Sequence, residues 1–240
     1  MYENGEAIFH EYWPLVGPEE EPGRIYRDMT WGPHVEMFVL DTRSYRAVHL
    51  PDENDPAATP VMKHMLGDPQ KRWLLEGLKK STRTWKFIAT SVPLAYPTGW
   101  PRPEETGYDG WSDGKWDNVS GPELELQEIF RCIKDNNIQN VIFLSGDVHF
   151  PFCISYDPFE DGTPLVYEIG ATPFHALCLP PPERGPDNTF HPNVLFSAGK
   201  FADQSFLNFG QVEIDENATM TFNIRDKKGK SMYELKLDPK

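Results

Sequence analysis

The sequence predicts an α/β fold with a largely parallel central sheet. Three apolar runs of strand length alternate with two segments of helical periodicity, in the order strand, helix, strand, helix, strand. The third run, residues 141–144, is apolar on both faces, as central parallel strands are. Right-handed crossovers through the two helices then place the three strands side by side in one sheet.

The first two strands end in residues that mark a boundary. The first is expected at residues 35–41, an apolar run that finishes in the carboxylate of Asp41. The second is expected at residues 85–92 and stops at Pro93, which has no backbone N–H to continue a ladder. Ligand sites in open α/β sheets lie beyond such carboxyl ends.

The first helix is expected to begin at Asp68. Asp68 suits the N-cap, Pro69 suits the first helical position, and Trp73, Leu74 and Leu78 form an apolar face.

The second helix is expected to begin with a capping box. Ser120 is followed three residues later by Glu123, the spacing at which the two side chains satisfy each other's backbone N–H groups. The helix ends near residues 136–137. Its inward apolar positions are Leu126, Ile129, Phe130 and Ile133.

Beyond residue 150 the pattern changes to short strands separated by turns. Polar turn residues at 215–217 and 227–229 predict antiparallel pairing of the last three strands. These strands are expected to complete or flank the same sheet, and the absence of a linker composition predicts one domain over 1–240. The expected strands are 151–156, 165–170, 206–214, 219–225 and 231–237.

Two segments stand outside this pattern. Residues 1–34 form a lead-in to the first strand. Residues 93–119 form a long loop whose aromatic content favours an ordered cover over a disordered segment, because disordered segments are poor in aromatics. The aromatic residues of this loop include Trp100, Tyr108, Trp111 and Trp116.

Composition excludes several classes of function. The 240 residues include 37 acidic and 23 basic ones, a balance that argues against binding a nucleic-acid backbone. No run approaches the roughly 18 apolar residues of a membrane span. No phosphate-binding Gly-x-x-x-x-Gly-Lys loop is present. Three scattered cysteines and a start without a secretory signal favour a cytoplasmic location.

The sharpest chemical motif follows the third strand. In extended chain, residues two apart project to the same side, so Asp147 and His149 are expected to direct a carboxylate oxygen and an imidazole nitrogen at one point. That donor pair suits a transition metal or a mixed metal cluster. The alternative is an aspartate that caps a loop beside a structurally bonded histidine.

Asp41 and Arg43 form a second candidate site. Arg43 has the fork geometry to bind an anionic oxygen, with Asp41 orienting it or contacting a metal. The alternative is an ion pair at a strand end. Ser91 lies at another strand end, but no Gly-x-Ser-x-Gly elbow surrounds it, so it is not predicted to be a nucleophile. His175 and His191 are expected to be structural or solvated.

In order, several segments match a known family. They are Ile25-Tyr26-Arg27 with Trp31-Gly32, residues 38–46 (Phe-Val-Leu-Asp-Thr-Arg-Ser-Tyr-Arg), residues 66–70 with Trp73-Leu74, residues 85–93, residues 144–150 (Leu-Ser-Gly-Asp-Val-His-Phe) and Asn208-Phe209-Gly210. Together they resemble the PhoD-like (alkaline phosphatase D) metallophosphoesterases, which hydrolyse phosphomonoesters and phosphodiesters.

The resemblance implies a calcineurin-like sandwich of two sheets flanked by helices, with iron and calcium ions at the strand ends. By the same resemblance, Asp147 and His149 are metal ligands, and Asp41 and Arg43 lie beside the site and take part in catalysis. The expected substrate is a small phosphoester, with neither nucleic acid nor membrane as a partner.

The resemblance covers the C-terminal half of the family's catalytic domain. Its earlier half, which carries further ligands, has no counterpart in residues 1–34. One sheet is therefore expected to lack its partner, so that a complementary N-terminal half or a second copy of the chain covers the face. Two other functions stay open: a non-catalytic remnant or interaction module, and a hydrolase of another ester class on the same frame.

Overall fold

The computed structural model describes residues 2–13, 15, 17–47, 64–99, 109–116 and 118–240. The helices are α1 (Tyr2–Tyr12), α2 (Gly67–Lys80) and α3 (Glu123–Asp135), with a 3₁₀ turn at Gln204–Phe206. The strands are β1 (Arg27–Trp31), β2 (Val35–Val39), β3 (Trp85–Ala89), β4 (Val141–Ser145), β5 (Phe152–Tyr156), β6 (Val166–Gly170), β7 (Pro192–Ser197), β8 (Asn208–Ile214), β9 (Met220–Asp226) and β10 (Ser231–Leu237).

The larger sheet has seven strands in the order β1-β2-β3-β4-β6-β5-β7. Strands β2, β3, β4 and β6 are mutually parallel, which confirms the predicted parallel core. Strands β1, β5 and β7 pair with their neighbours in the antiparallel direction. The sheet is therefore mixed, and β1 and β7 are additions that the sequence pattern does not predict.

The last three strands form a second sheet in the order β10-β9-β8. They form a separate sheet that packs face to face against the larger one. Phe222 and Ile224 of β9 share one buried cluster with Phe87 and Ile142 of the larger sheet. The opposite face of the larger sheet packs against α2 and α3.

The predicted helix faces are buried in that second packing layer. Leu74 and Leu78 of α2 and Ile129 of α3 have at most 1% of their surface exposed and lie in one cluster with Phe38 and Phe143 of the sheet. Full burial of a leucine or isoleucine side chain contributes about 1.5–3 kcal/mol. The helix residues that periodicity predicts to be apolar and inward are therefore the ones that pack against the sheet.

The predicted start of α2 is wrong. The helix begins at Gly67, Leu66 holds the N-cap position without a side-chain bond, and Asp68 lies in the first turn. The carboxylate of Glu125, on α3, takes the capping role from the neighbouring helix. Its Oε2 accepts hydrogen bonds from the backbone N–H groups of Met65 (2.7 Å) and Leu66 (2.9 Å).

Of the two hydrogen bonds in the capping box predicted for α3, one forms and the other does not. Glu123 Oε2 accepts the backbone N–H of Ser120 at 3.1 Å, as the box requires. The Ser120 hydroxyl instead donates to Asp113, and Pro122 is the N-cap. Glu123 is consequently drawn into the interior, with 1% of its surface exposed.

The described part of the long loop is packed against the sheet. Trp111 is fully buried, and its Nε1 donates to Thr90 Oγ1 at 3.1 Å. The guanidinium of Arg184 lies 3.7 Å from the ring centre of Trp116. Trp100 and Tyr108, which are also in the loop, lie outside the described residues.

The sheet face expected to be bare is covered in part by the second sheet. A cleft of about 610 Å³ stays open between the two sheets beside β8. Within the described ranges, β8 pairs with β9 alone, so no strand pairs with its other edge. The side chains that line the cleft are mainly apolar and include Met29, Met37, Phe87, Leu144, Val212 and Ile214.

Candidate active site

The carboxyl ends of β2, β3, β4 and β6 meet at one edge of the larger sheet, which we call the carboxyl edge. Three segments that follow these strands are in contact there. The hydroxyls of Thr42, after β2, and Ser91, after β3, share a hydrogen bond. A methyl group added at Gly146, after β4, would lie 3.8 Å from the carbonyl oxygen of Ser91. The topology therefore gathers the predicted segments at one place.

Asp41 is held rigidly at this edge. Its Oδ1 accepts the backbone N–H groups of Arg43 (3.0 Å) and Ser44 (2.9 Å), which closes a tight turn after β2. The fully buried side-chain amide of Gln70, on α2, donates to the backbone carbonyl of Asp41 and accepts its N–H, each at 2.8 Å. Both the carboxylate and its backbone are thus fixed.

The second oxygen of the Asp41 carboxylate takes no part in these hydrogen bonds. Oδ2 is buried and has no hydrogen-bond partner among the described residues. Leaving a buried acceptor unsatisfied costs about 1–3 kcal/mol, so native structures nearly always give such an atom a partner. This oxygen is therefore a natural ligand for a cation or a bound water.

The segment with Asp147 and His149 is not extended, so that part of the prediction is wrong. Both residues have left-handed backbone angles, with φ of 72° and 63°. Between and after them, Val148 and Phe150 are buried in the core on the helix side. With this backbone, Asp147 is exposed and His149 is partly buried.

Left-handed backbone at residues other than glycine stores strain of about 1–3 kcal/mol per residue. Such strain gathers at functional sites, where packing over-determines it. The side chains of Asp147 and His149 form no hydrogen bond with the described part of the chain. Nor do the described residues contain a group of three or more His, Cys, Asp or Glu side chains that could hold a metal ion.

Glu168 is a component of the edge that sequence analysis misses. It is fully buried in β6, where Oε1 accepts the Leu94 N–H (2.9 Å) and the Ser145 hydroxyl (2.6 Å), and Oε2 accepts the Tyr156 hydroxyl. Burial raises the pKa of Glu168, and these hydrogen bonds oppose the rise. Burial and the nearby Glu168 carboxylate raise the pKa of Tyr156 well above its ordinary value.

Through these hydrogen bonds Glu168 links β6 to the segments that follow β3 and β4, because Leu94 follows β3 and Ser145 directly precedes the Gly-Asp-Val-His segment. A signal existed in the sequence: Glu168 is a lone charged residue in a strand whose other members are mostly apolar. A charge in such a position is rarely buried without partners.

Arg43 does not pair with the Asp41 carboxylate. Its Nη1 lies 3.3 Å from Oδ1 of Asp109, a residue of the long loop, and Arg46 Nη1 lies 2.8 Å from the same oxygen. The ion pair considered for this strand end thus exists with a different partner. It joins residues 66 positions apart, which no local pattern predicts.

The other candidates stay apart from this cluster. His175 is exposed, and His191, also exposed, lies 3.9 Å from Glu160 at the opposite edge of the sheet. The Ser91 hydroxyl is engaged with Thr42. Among the described helices none has both the length and the apolar composition to cross a membrane.

The fold is a two-sheet α/β sandwich with its polar side chains gathered at the carboxyl edge of the larger sheet. The solved structure of PhoD has this fold, with a TM-score of 0.62 and 20% sequence identity over 96% of this chain. The model of the family described as PhoD-like phosphatase matches residues 2–223. The chain therefore belongs to the PhoD-like phosphatase family, which confirms the resemblance found in its motifs.

Alkaline phosphatase D of Bacillus subtilis (strain 168) is 27% identical over 152 residues, which are 59% of this chain and 24% of that protein. The match to PhoD covers 44% of the PhoD chain. The present chain thus spans about a quarter of the curated relative and less than half of the solved structure.

Proposed function

We propose that this chain contributes to the active site of a metal-dependent phosphoester hydrolase. The observation that supports the proposal most directly is Asp41 Oδ2, a buried oxygen without a partner in the described residues, at the edge that also bears Asp147 and His149. Carboxylate oxygens and an imidazole nitrogen are donors that suit iron and, for the oxygens, calcium.

In this proposal Asp147 and His149 are metal ligands, and the free oxygen of Asp41 binds a cation or a water at the same edge. A bound metal ion supplies acidification of water and neutralisation of phosphate charge. Arg43, with 48% of its side chain exposed, donates N–H groups to the phosphoryl oxygens as charge develops on them. Glu168 holds the Ser145 end of the ligand segment in place.

The described residues do not supply a third close ligand, so the site is completed by groups outside them. We propose that they come with the part of the phosphatase that this chain does not span. The edge of β8 with which no described strand pairs accepts a strand, and the neighbouring cleft offers apolar side chains for it to cover. Trp31, which lines the cleft, has 79% of its surface exposed.

The same incomplete ligand set favours a second function, a non-catalytic module that keeps the scaffold and binds a partner through the cleft. The two are separated by metal analysis and hydrolysis of a chromogenic phosphodiester. Both are measured for the wild type, Asp147→Ala and His149→Ala, each co-expressed with the N-terminal half of a PhoD-like phosphatase that supplies the missing ligands, after growth with iron and calcium. Asp161→Ala and His191→Ala are matched controls, because both residues lie at the opposite edge of the sheet.

The hydrolase proposal predicts retained metal in the wild type and both controls, and at least a tenfold loss of metal and turnover in Asp147→Ala and His149→Ala. A wild type that retains no metal and hydrolyses nothing overturns it in favour of the module. The mass in solution is measured on the same samples. A stable, monodisperse monomer with an uncovered cleft overturns the docking part.

A further inference from the structure

Arg43 and Arg46 converge on a single carboxylate oxygen at the carboxyl edge. Both Nη1 atoms point at Oδ1 of Asp109, at 3.3 Å and 2.8 Å. Arg46 is the more enclosed arginine, with 21% of its side chain exposed against 48% for Arg43. Two guanidinium groups on one oxygen form a ready-made anion site, since each still has further N–H donors to offer.

Asp109 is presented to the arginines by a fixed backbone. Its own N–H donates to the Thr98 carbonyl at 2.6 Å, and the next residue but one, Trp111, is fully buried. Between them, Gly110 is pressed against the β3 exit. An added methyl group there would come within 3.1 Å of the Tyr96 carbonyl oxygen and 3.4 Å of the Pro93 carbonyl oxygen. The carboxylate is therefore placed by packing.

The chemistry of this arrangement favours a phosphate over the carboxylate that now occupies it. Arginine forks bind phosphate in a bidentate manner, and a phosphate group has enough oxygens to engage two forks. A single carboxylate oxygen satisfies only one donor from each. Asp109 also cancels one of the two positive charges, so while it stays it weakens the attraction for any incoming anion.

The arginine pair follows Asp41, whose free carboxylate oxygen belongs to the proposed site. The backbone N–H of Arg43 donates to Asp41 Oδ1 at 3.0 Å, in the turn that leaves Asp41 Oδ2 free. We propose that Arg43 and Arg46 bind the phosphoryl group of the substrate, and that Asp109 is an internal competitor whose carboxylate the substrate must displace. This inference rests on the proposed function, because that function makes the anion a phosphoester.

Binding of inorganic phosphate tests the inference, measured by calorimetric titration of the 240-residue chain after removal of metals with a chelator. Asp109→Asn keeps the shape of the side chain and removes its charge, so phosphate is expected to bind about five- to tenfold more tightly. Arg46→Gln is expected to weaken binding at least fivefold. Asp109→Glu, which restores a carboxylate, is expected to stay within twofold of the wild type.

Asp161→Asn and Arg83→Gln are the matched controls. Asp161 also pairs with a cation, Lys134, and Arg83 binds the Pro33 carbonyl, both at the opposite edge of the sheet. Both controls are expected to bind phosphate as the wild type does.

Unchanged or weaker phosphate binding by Asp109→Asn overturns the competitor role. Unchanged binding by Arg46→Gln, with the fold verified by near-ultraviolet circular dichroism, overturns the anion site. Because metals are absent and no turnover is measured, these results are independent of the Asp147 and His149 variants. Failure of the hydrolase proposal and failure of the anion site are thus distinguishable.

Discussion

Glu123 couples the stability of this fold to pH. Burial raises the pKa of Glu123 to about 8, the carboxylates of Asp187 and Asp113 add to the rise, and the Ser120 N–H opposes it. In the unfolded chain the same group ionises near its ordinary value of 4.5. Between these values the native state keeps a proton that the unfolded state has released, so stability falls as pH rises.

The size of this loss of stability follows from the pH range between the two pKa values. One proton contributes about 1.4 kcal/mol per pH unit, so the cost between about pH 5 and pH 7.5 is about 3 kcal/mol. Glu123→Gln removes it, because the amide stays neutral and its oxygen still accepts the Ser120 N–H. The variant should match the wild type near pH 5 and exceed its stability by about 3 kcal/mol near pH 7.5.

Urea denaturation at a series of pH values measures this difference. Glu216→Gln is the matched control, because Glu216 is exposed in the turn between β8 and β9 and has no such burial. If the stability curves of Glu123→Gln and the wild type run parallel from pH 5 to pH 8, Glu123 is already ionised in the native state and the argument fails.

Two further substitutions probe the packing beside the site. Tyr156→Phe removes the donor to Glu168 Oε2 and should lower the free energy of unfolding by about 1–3 kcal/mol. The control Tyr12→Phe, at an exposed position, should change it very little. Equal effects of the two substitutions would refute the role of the network. Gly77→Ala brings a methyl group to 2.5 Å from Phe38 Cε1 and should destabilise by about 1–3 kcal/mol despite the better helix propensity. The control Gly5→Ala, where nothing lies within 4 Å of the added methyl group, should be neutral or slightly stabilising. If Gly77→Ala stabilises the fold, Phe38 moves aside freely and the packing argument is wrong.

Local periodicity was enough to predict the central frame. Leu74, Leu78 and the run at 141–144 mark a helix face and a buried strand because each pattern repeats within a single element. The start of α2 could not be found in the same way. The backbone N–H groups at its start are bound by Glu125, 59–60 residues further along the chain. Asp68 is of a residue type that suits a cap, but it lies in the first turn of the helix.

In the site, too, the features set by strand order are predictable from the sequence, and those set by long-range contacts are not. Asp41, Ser91 and Asp147 could be placed at one edge, since parallel strands bring their carboxyl ends together. The left-handed backbone angles of Asp147 and His149 could not be predicted, because both residue types are also common in extended chain and no local pattern marks the change. The partner of Arg43, Asp109, comes from a loop without periodicity, so only the folded chain reveals it.

The cleft beside β8 has a practical consequence for handling the protein. Fluorescent dyes that brighten in apolar surroundings respond to exposed core in unfolding chains, and here the native chain offers them about 610 Å³ lined by methionine, phenylalanine and aliphatic side chains. Melting curves recorded with such a dye would begin from a high signal. Intrinsic tryptophan fluorescence is the better reporter, because Trp85 and Trp111 are buried on opposite sides of the larger sheet.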